Sequence, residues 1–245
     1  MMRLLRVPPT YIILMTGQSN GNGTGGKIDK TYGRDDVDER ILMWDHRRLE
    51  WVLADLECDM GTKRRNDQCL AFHFAKEFIR DHPWDTVGII VHCCNGASIA
   101  SWDQTRCGDV FRETMKVSQE ALKVIGRSCI DCILWHQGES DHFGSHALYG
   151  ASLKRVIEDY RNIFGNRVMF ICGELKMGGL DKQNSVLNSI STEASNAGCA
   201  RNKHFPCTDG IHFNSESLRN MGSRYYRVYL GIVNKCILSR IKCYM

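Results

Sequence analysis

The sequence predicts an α/β fold in which helices cover both faces of a parallel sheet. Two observations carry this. Strand-length runs such as Thr86–His92 and Val168–Cys172 are apolar on successive residues, as strands buried from both sides must be. They alternate with segments whose apolar residues recur every three or four positions, the period of a helix with one buried side. The alternation runs from end to end without a linker or an internal repeat, so residues 1–245 are expected to form one domain.

Thr10–Thr16 is β-rich, ends at Gly17, and is expected as the first core strand. Arg40–Trp44 and Glu50–Leu53 read as a hairpin with its turn at His46–Leu49. Asp67–Arg80 places Leu70, Phe74 and Phe78 with Ala71 and Ala75 on a helical stripe. Thr86–His92 is a strand, Val110–Ile125 a helix and Cys129–Trp135 a strand. Ala147–Phe164 is helical, with Leu148, Leu153, Val156, Ile157 and Tyr160 on one side. Val168–Cys172 is a strand, and Lys182–Ala197 and Glu216–Cys236 close the chain as helices.

Composition excludes several classes. Hydrophobic residues make up 43% and charged residues 24%, ordinary globular usage. Lys and Arg number 32 against 28 Asp and Glu, and a scattered net charge of +4 gives no footprint for nucleic acid. Apolar runs such as Tyr11–Met15 fall far short of the ~20 residues that span a bilayer, so no membrane association is expected. Arg3 and Arg6 resemble the start of a secretory signal, but the run that follows leads into a Gly-rich turn and not a cleavage site. With no visible leader, a reducing, cytoplasmic location is expected. The twelve cysteines fit that reading. Cys93, Cys94, Cys129, Cys132 and Cys172 lie in apolar segments, where a free thiol behaves as a small hydrophobe. Cys129 and Cys132 lack a second Cys-x-x-Cys and would face opposite sides of a strand, so no metal is expected. Lys63-Arg64-Arg65 reads as a solvated loop. Asn22–Gly26 lacks the Lys-Ser/Thr of a phosphate loop, and no cofactor is expected.

In open α/β sheets, sites lie beyond the carboxyl ends of the strands. Four polar, Gly-containing turns fall there or near the C-terminus: Gly17-Gln18-Ser19-Asn20-Gly21, Asn95-Gly96-Ala97-Ser98, His136-Gln137-Gly138-Glu139-Ser140-Asp141, and Thr208-Asp209-Gly210-Ile211-His212. Together they hold the parts for acyl transfer through a serine ester. Ser19, exposed at a strand-to-helix turn, is the candidate nucleophile. His212 is the candidate base, and Asp209 is close enough to accept its other ring N–H. The N–H groups of Ser19 and Gly96 could hold an oxyanion, with Gln137 adding an amide donor. Taken singly, each turn has a structural reading: a Gly-x-Ser-x-Gly turn, an Asx-turn at Asp209, or a helix cap at Ser140 or Asp141. Their joint occurrence favours the catalytic one.

Chain order separates hydrolase types. In an α/β-hydrolase the nucleophile follows several strands, and the acid and His come from separate loops. Here the Ser ends the first strand, and the acid and base stand three residues apart near the C-terminus. The chain resembles the sialate O-acetylesterase-type branch of the SGNH/GDSL hydrolases, which includes acetylesterases acting on xylan. Gly17-Gln18-Ser19-Asn20, Gly96–Trp102, Trp135–Asp141 and Asp209–His212 carry the resemblance, and Trp135-His-Gln-Gly-Glu139 is its most specific part.

The resemblance implies a three-layer α/β/α sandwich of flavodoxin-like form, with a mostly parallel five-stranded central sheet. It implies no metal and deacetylation of sugar esters. Ser19, His212 and Asp209 would form the triad, with the N–H groups of Ser19 and Gly96 in the oxyanion hole. The wider superfamily uses an Asn in its third block as an oxyanion donor. This chain has none there, and Gln137 is expected in that role. Glu139 is expected as an auxiliary acid that shares Asp209's duty. Asn20 and Trp102 are expected at the substrate, although Trp102 reads equally well as a core residue. The expected partner is an acetylated carbohydrate. Two alternatives stay open: an SGNH lipase- or thioesterase-like enzyme for longer acyl chains, and an inactive glycan-binding protein on the same scaffold.

Overall fold

Ile12 and Leu14 point to one side of the first strand and Ile13 and Met15 to the other, and all four are fully buried. A strand apolar on both faces needs cover on both, and the rest of the chain supplies it. The computed structural model describes residues 8–29, 31–55, 60–61 and 69–243. These form strands β1 (Tyr11–Gly17), β2 (Ile41–Asp45), β3 (Glu50–Leu53), β4 (Val87–Cys93), β5 (Cys132–His136), β6 (Met169–Gly173) and β7 (Ala197–Ala200). They lie in one sheet in the order β3-β2-β4-β1-β5-β6-β7. Every pairing is parallel except that of β2 with β3.

The helices are α1 (Ser19–Asn22), α2 (Leu70–Asp81), α3 (Asp109–Val124), α4 (His146–Phe164), α5 (Asp181–Glu193) and α6 (Ser215–Cys243). Ile12 and Leu14 share a core with the buried stripes of α3, α4 and α5, while Ile13 and Met15 share one with α2 and α6. The α3 stripe shows why: Val110, Phe111, Thr114, Met115, Ser118, Ala121 and Leu122 recur at helical spacing and are all buried. Each large apolar side chain so buried contributes about 1.5–3 kcal/mol before entropy is counted.

The expected α/β/α sandwich is present, but its sheet has seven strands and not five. The β2–β3 hairpin extends one edge, with the Asp45 carboxylate accepting the N–H groups of Arg47 and Arg48 in the turn. At the other edge is β7, which lies where the expected helix Lys182–Ala197 was to end. That helix stops at Glu193. Ala-Gly-Cys-Ala has no β-branched or aromatic residue to mark a strand. Backbone pairing to β6 makes it one, and a side chain at Gly198 would overlap Val228 of α6.

Other boundaries differ less. β5 starts at Cys132 and not at Cys129; Asp131 before it accepts the Ile12 N–H and pairs with Arg127. Leu148, expected on the buried side of its helix, is exposed. α6 runs past Cys236 to Cys243. The proposed start of the second helix at Asp67, the Lys63–Arg65 loop, Arg3 and Arg6 all lie outside the described residues. No described helix is long and apolar enough to cross a membrane. Among the described residues no three His, Cys, Asp or Glu side chains group as metal ligands.

Candidate active site

β1 ends beside β5, and at Gly17 the backbone takes φ +136°. A side chain there would overlap the main chain of His136, so the turn requires glycine. The chain bends at Gln18, and Ser19 stands first in the short helix α1, where its N–H has no acceptor within the helix. Ser19 Oγ lies 2.8 Å from His212 Nε2, and His212 Nδ1 lies 2.6 Å from Asp209 Oδ2.

The loop before α6 builds this geometry locally. Cys207 and Phe213 pair as an antiparallel bridge, and the Thr208 N–H donates to His212 O at 2.8 Å. Asp209 Oδ1 accepts the N–H groups of Ile211 at 3.0 Å and His212 at 2.8 Å, an Asx-turn that leaves Oδ2 for the imidazole. The His212 main-chain N–H, followed by its ring, holds the Asp209 carboxyl below the usual carboxylate range. An ionised Asp209 only accepts, so Nδ1 carries the proton and Nε2 is free to accept the Ser19 O–H.

Asn20 ties this loop to the nucleophile turn. Its Nδ2 donates to Glu139 Oε1 at 2.8 Å and to Ile211 O at 3.3 Å, and its Oδ1 accepts the Phe213 N–H at 2.9 Å. The residues on both sides of His212 are thus gripped by the neighbour of Ser19. Gln18 does the same on the other side. Its Nε2 donates to Ser140 Oγ at 2.6 Å, its Oε1 accepts the Gly138 N–H at 3.0 Å, and Ser140 Oγ donates to Gly96 O at 2.9 Å. Gly96 has φ +73° and open space where a side chain would be.

The family described as carbohydrate esterase, sialic acid-specific acetylesterase, matches residues 9–231. The chain belongs to this family. A probable carbohydrate esterase of Arabidopsis thaliana is 24% identical, with 92% of each chain covered. Among solved structures, an Arabidopsis thaliana protein superposes with TM-score 0.77 at 23% identity, covering 91% of this chain and 99% of that one. NanS follows with TM-score 0.71 at 13% identity, covering 94% and 99%. A carbohydrate acetylesterase from Xanthomonas citri gives TM-score 0.68 at 15% identity, covering 88% of this chain and 55% of that one.

In this carbohydrate esterase, Ser19, His212 and Asp209 come together, with Gly96 on the same rim. Four expectations need correction. Trp102 is fully buried, its indole N–H donates to Thr16 Oγ1 at 3.1 Å, and its ring packs edge-on against Trp135. It has no face for a sugar. Asn20 is also fully buried, its amide committed to the bonds above, so it positions loops and does not meet substrate. The Gln137 amide is committed elsewhere, which leaves it no N–H for an oxyanion: its Nε2 donates to Asp141 Oδ2 at 2.5 Å and to Ala97 O at 3.2 Å. Glu139 makes no hydrogen bond to His212, whose ring nitrogens are taken by Ser19 and Asp209. It accepts from Asn20, and burial raises its pKa.

Beside Glu139, burial holds His136 neutral, with its pKa lowered to about 3. The Tyr225 hydroxyl donates to Trp135 O at 2.6 Å, so at the 3.0 Å contact with Tyr225 it is His136 Nδ1 that carries the proton. Ser140 and Asp141 do not cap α4. Ser145 does, accepting the Leu148 N–H, and Asp141 instead accepts the Ile99 N–H. The sequence reading missed Gln18 and Ser140 as the stitch between three turns. Two amides flanking the candidate nucleophile were the available signal.

Proposed function

We propose that this carbohydrate esterase removes O-acetyl groups from carbohydrates, of the sialate or xylan type, through Ser19, His212 and Asp209. The unbroken hydrogen-bonded line Ser19–His212–Asp209 supports the reading more than any other observation. Ser19 Oγ attacks the acetyl carbonyl carbon while His212 Nε2 takes the hydroxyl proton. Asp209 stabilises the imidazolium without taking its proton. The N–H groups of Ser19 and Gly96 receive the oxyanion. Collapse breaks the ester bond, and His212 gives its proton to the departing sugar oxygen. Water, deprotonated by His212, then attacks acetyl-Ser19; the bond from Ser19 Oγ to the acetyl carbon breaks, His212 returns the proton to Oγ, and acetate leaves.

A substrate panel tests the proposal: acetylated xylan, O-acetylated sialic acid, acetylated monosaccharides, and acetate, butyrate and octanoate esters. Acetate release from sugars by the parent, lost in Ser19→Ala, is expected. Equal or better use of octanoate would move the protein to a lipase-like role.

A further inference from the structure

With Trp102 enclosed, another aromatic ring meets solvent at this rim. Phe143 is 93% exposed, in the connection from β5 to α4 at the carboxyl end of the sheet, the same end as Ser19. Trp84, exposed to a similar degree, precedes β4 at the opposite end. We propose that Phe143 forms a sugar-stacking subsite beside Ser19, taking the apolar C–H face of a pyranose ring in the acetylated substrate. The proposal rests on the reading of Ser19 given above.

The placement follows from the bonds that hold the connection. Glu139 is tied to Asn20 and Ser140 to Gln18, the two neighbours of Ser19. From Ser140 to Phe143 the backbone reaches at most about 11 Å, so the ring stays at the mouth of the site. The Gly144 N–H donates to Asp141 O at 2.9 Å, closing a turn with Phe143 near its tip. The His142 ring backs Phe143 at 3.7 Å between centroids, and His142 Nδ1 is itself bonded to Glu139 O. One side of the Phe143 ring is therefore supported and the rest faces water.

The chemistry selects the ligand. A pyranose carries its hydroxyls around the ring edge and presents C–H groups on its faces. Covering an aromatic face with such a surface removes apolar area from water on both partners and asks for no new polar partner. Ile211, half exposed and next to His212, adds apolar surface at the same mouth, its carbonyl held by Asn20.

The test compares Phe143→Ala and Phe143→Trp with the parent on acetylated xylo-oligosaccharides, O-acetylated sialic acid and ethyl acetate, an ester without a ring. Phe143→Ala should lower kcat/KM for the cyclic substrates by about tenfold through KM, the cost of one uncovered aromatic face. Ethyl acetate hydrolysis should stay within about twofold, and Phe143→Trp should restore the sugar kinetics. Unchanged sugar kinetics in Phe143→Ala, an equal fall for ethyl acetate, or a parent that cleaves ethyl acetate but no sugar in the panel would each overturn the subsite. Failure of the underlying reading looks different: ethyl acetate hydrolysis that survives in Ser19→Ala.

Discussion

Ser19 Oγ and His212 Nε2 lie 2.8 Å apart across 193 residues of chain. The contact joins the first turn of the sheet to the loop that precedes the last helix. A fluorophosphonate should therefore label Ser19, seen as an adduct by mass spectrometry. Ser19→Ala and His212→Ala should each abolish esterase activity while staying folded. The double variant should be no worse than either single, because such groups act as a unit. Near-normal turnover by Ser19→Ala would end the mechanism.

Asn20 bonds the residues on both sides of His212 and touches neither Ser19 Oγ nor the imidazole, so it is expected to act by positioning. Asn20→Ala leaves the buried Phe213 N–H without its acceptor, at a cost of about 1–3 kcal/mol. For a chain of this size that lowers Tm by roughly 2–4 °C per kcal/mol. It also frees both neighbours of His212, so kcat for a small acetate ester should fall by about 10- to 100-fold while KM holds. A fall in Tm with kcat intact would make Asn20 a structural residue only.

The layers of the fold were legible because β1, β4, β5 and β6 are apolar on both faces and the helices on one. β7 was not, since four small residues carry no pattern and its pairing comes from β6. Likewise, the meeting of Ser19, His212 and Asp209 could be expected from residue type and position, because the Asx-turn that aims Asp209 spans only three residues. The roles of Asn20, Gln137 and Trp102 depend on which way a side chain turns; contacts 86 and 193 residues distant in sequence decide that for Trp102 and Asn20, and Gln137 turns to Asp141, four residues on, and to Ala97.

Trp102 makes the contrast testable. As a core residue its truncation to Ala should destabilise the fold by about 3–5 kcal/mol. Trp102→Phe, which keeps most of the volume but loses the bond to Thr16, should cost less and leave KM for acetylated sugars unchanged. A raised KM in a fully folded Trp102→Phe would return the residue to the substrate.

The buried imidazole of His136 predicts how acid affects stability. Its pKa is depressed from 6.5 to about 3, so below pH 6.5 the unfolded chain binds a proton that the folded chain refuses. This contribution is fully present above pH 6.5 and is lost as pH falls towards 3. By pH 5 the part lost amounts to roughly 2 kcal/mol. His136→Gln can still donate to Tyr225 but does not titrate, so its stability should fall less than the parent's between pH 7 and 5 by about that amount. Parallel curves for the two proteins would refute the assignment.

Asp209 and Glu139 are both carboxylates near His212, but they face different partners. Asp209 bonds Nδ1 at 2.6 Å and accepts two main-chain N–H groups from its own turn. Glu139 bonds Asn20 and meets His212 only through space, without a hydrogen bond to its ring. Asp209→Asn removes the charge that fixes the tautomer, and the equivalent change in a serine protease lowers kcat by about 10⁴. A loss approaching that size is expected here. Glu139→Gln keeps an oxygen that can accept from Asn20, so the loss should stay within about fivefold. If the two act independently, the double variant should show close to the product of the single losses. Measuring kcat/KM for both singles and the double, with folding checked by circular dichroism, decides the matter. A larger loss from Glu139→Gln than from Asp209→Asn would make Glu139 the acid of the triad. A double variant far worse than the product would mean that each carboxylate can stand in for the other.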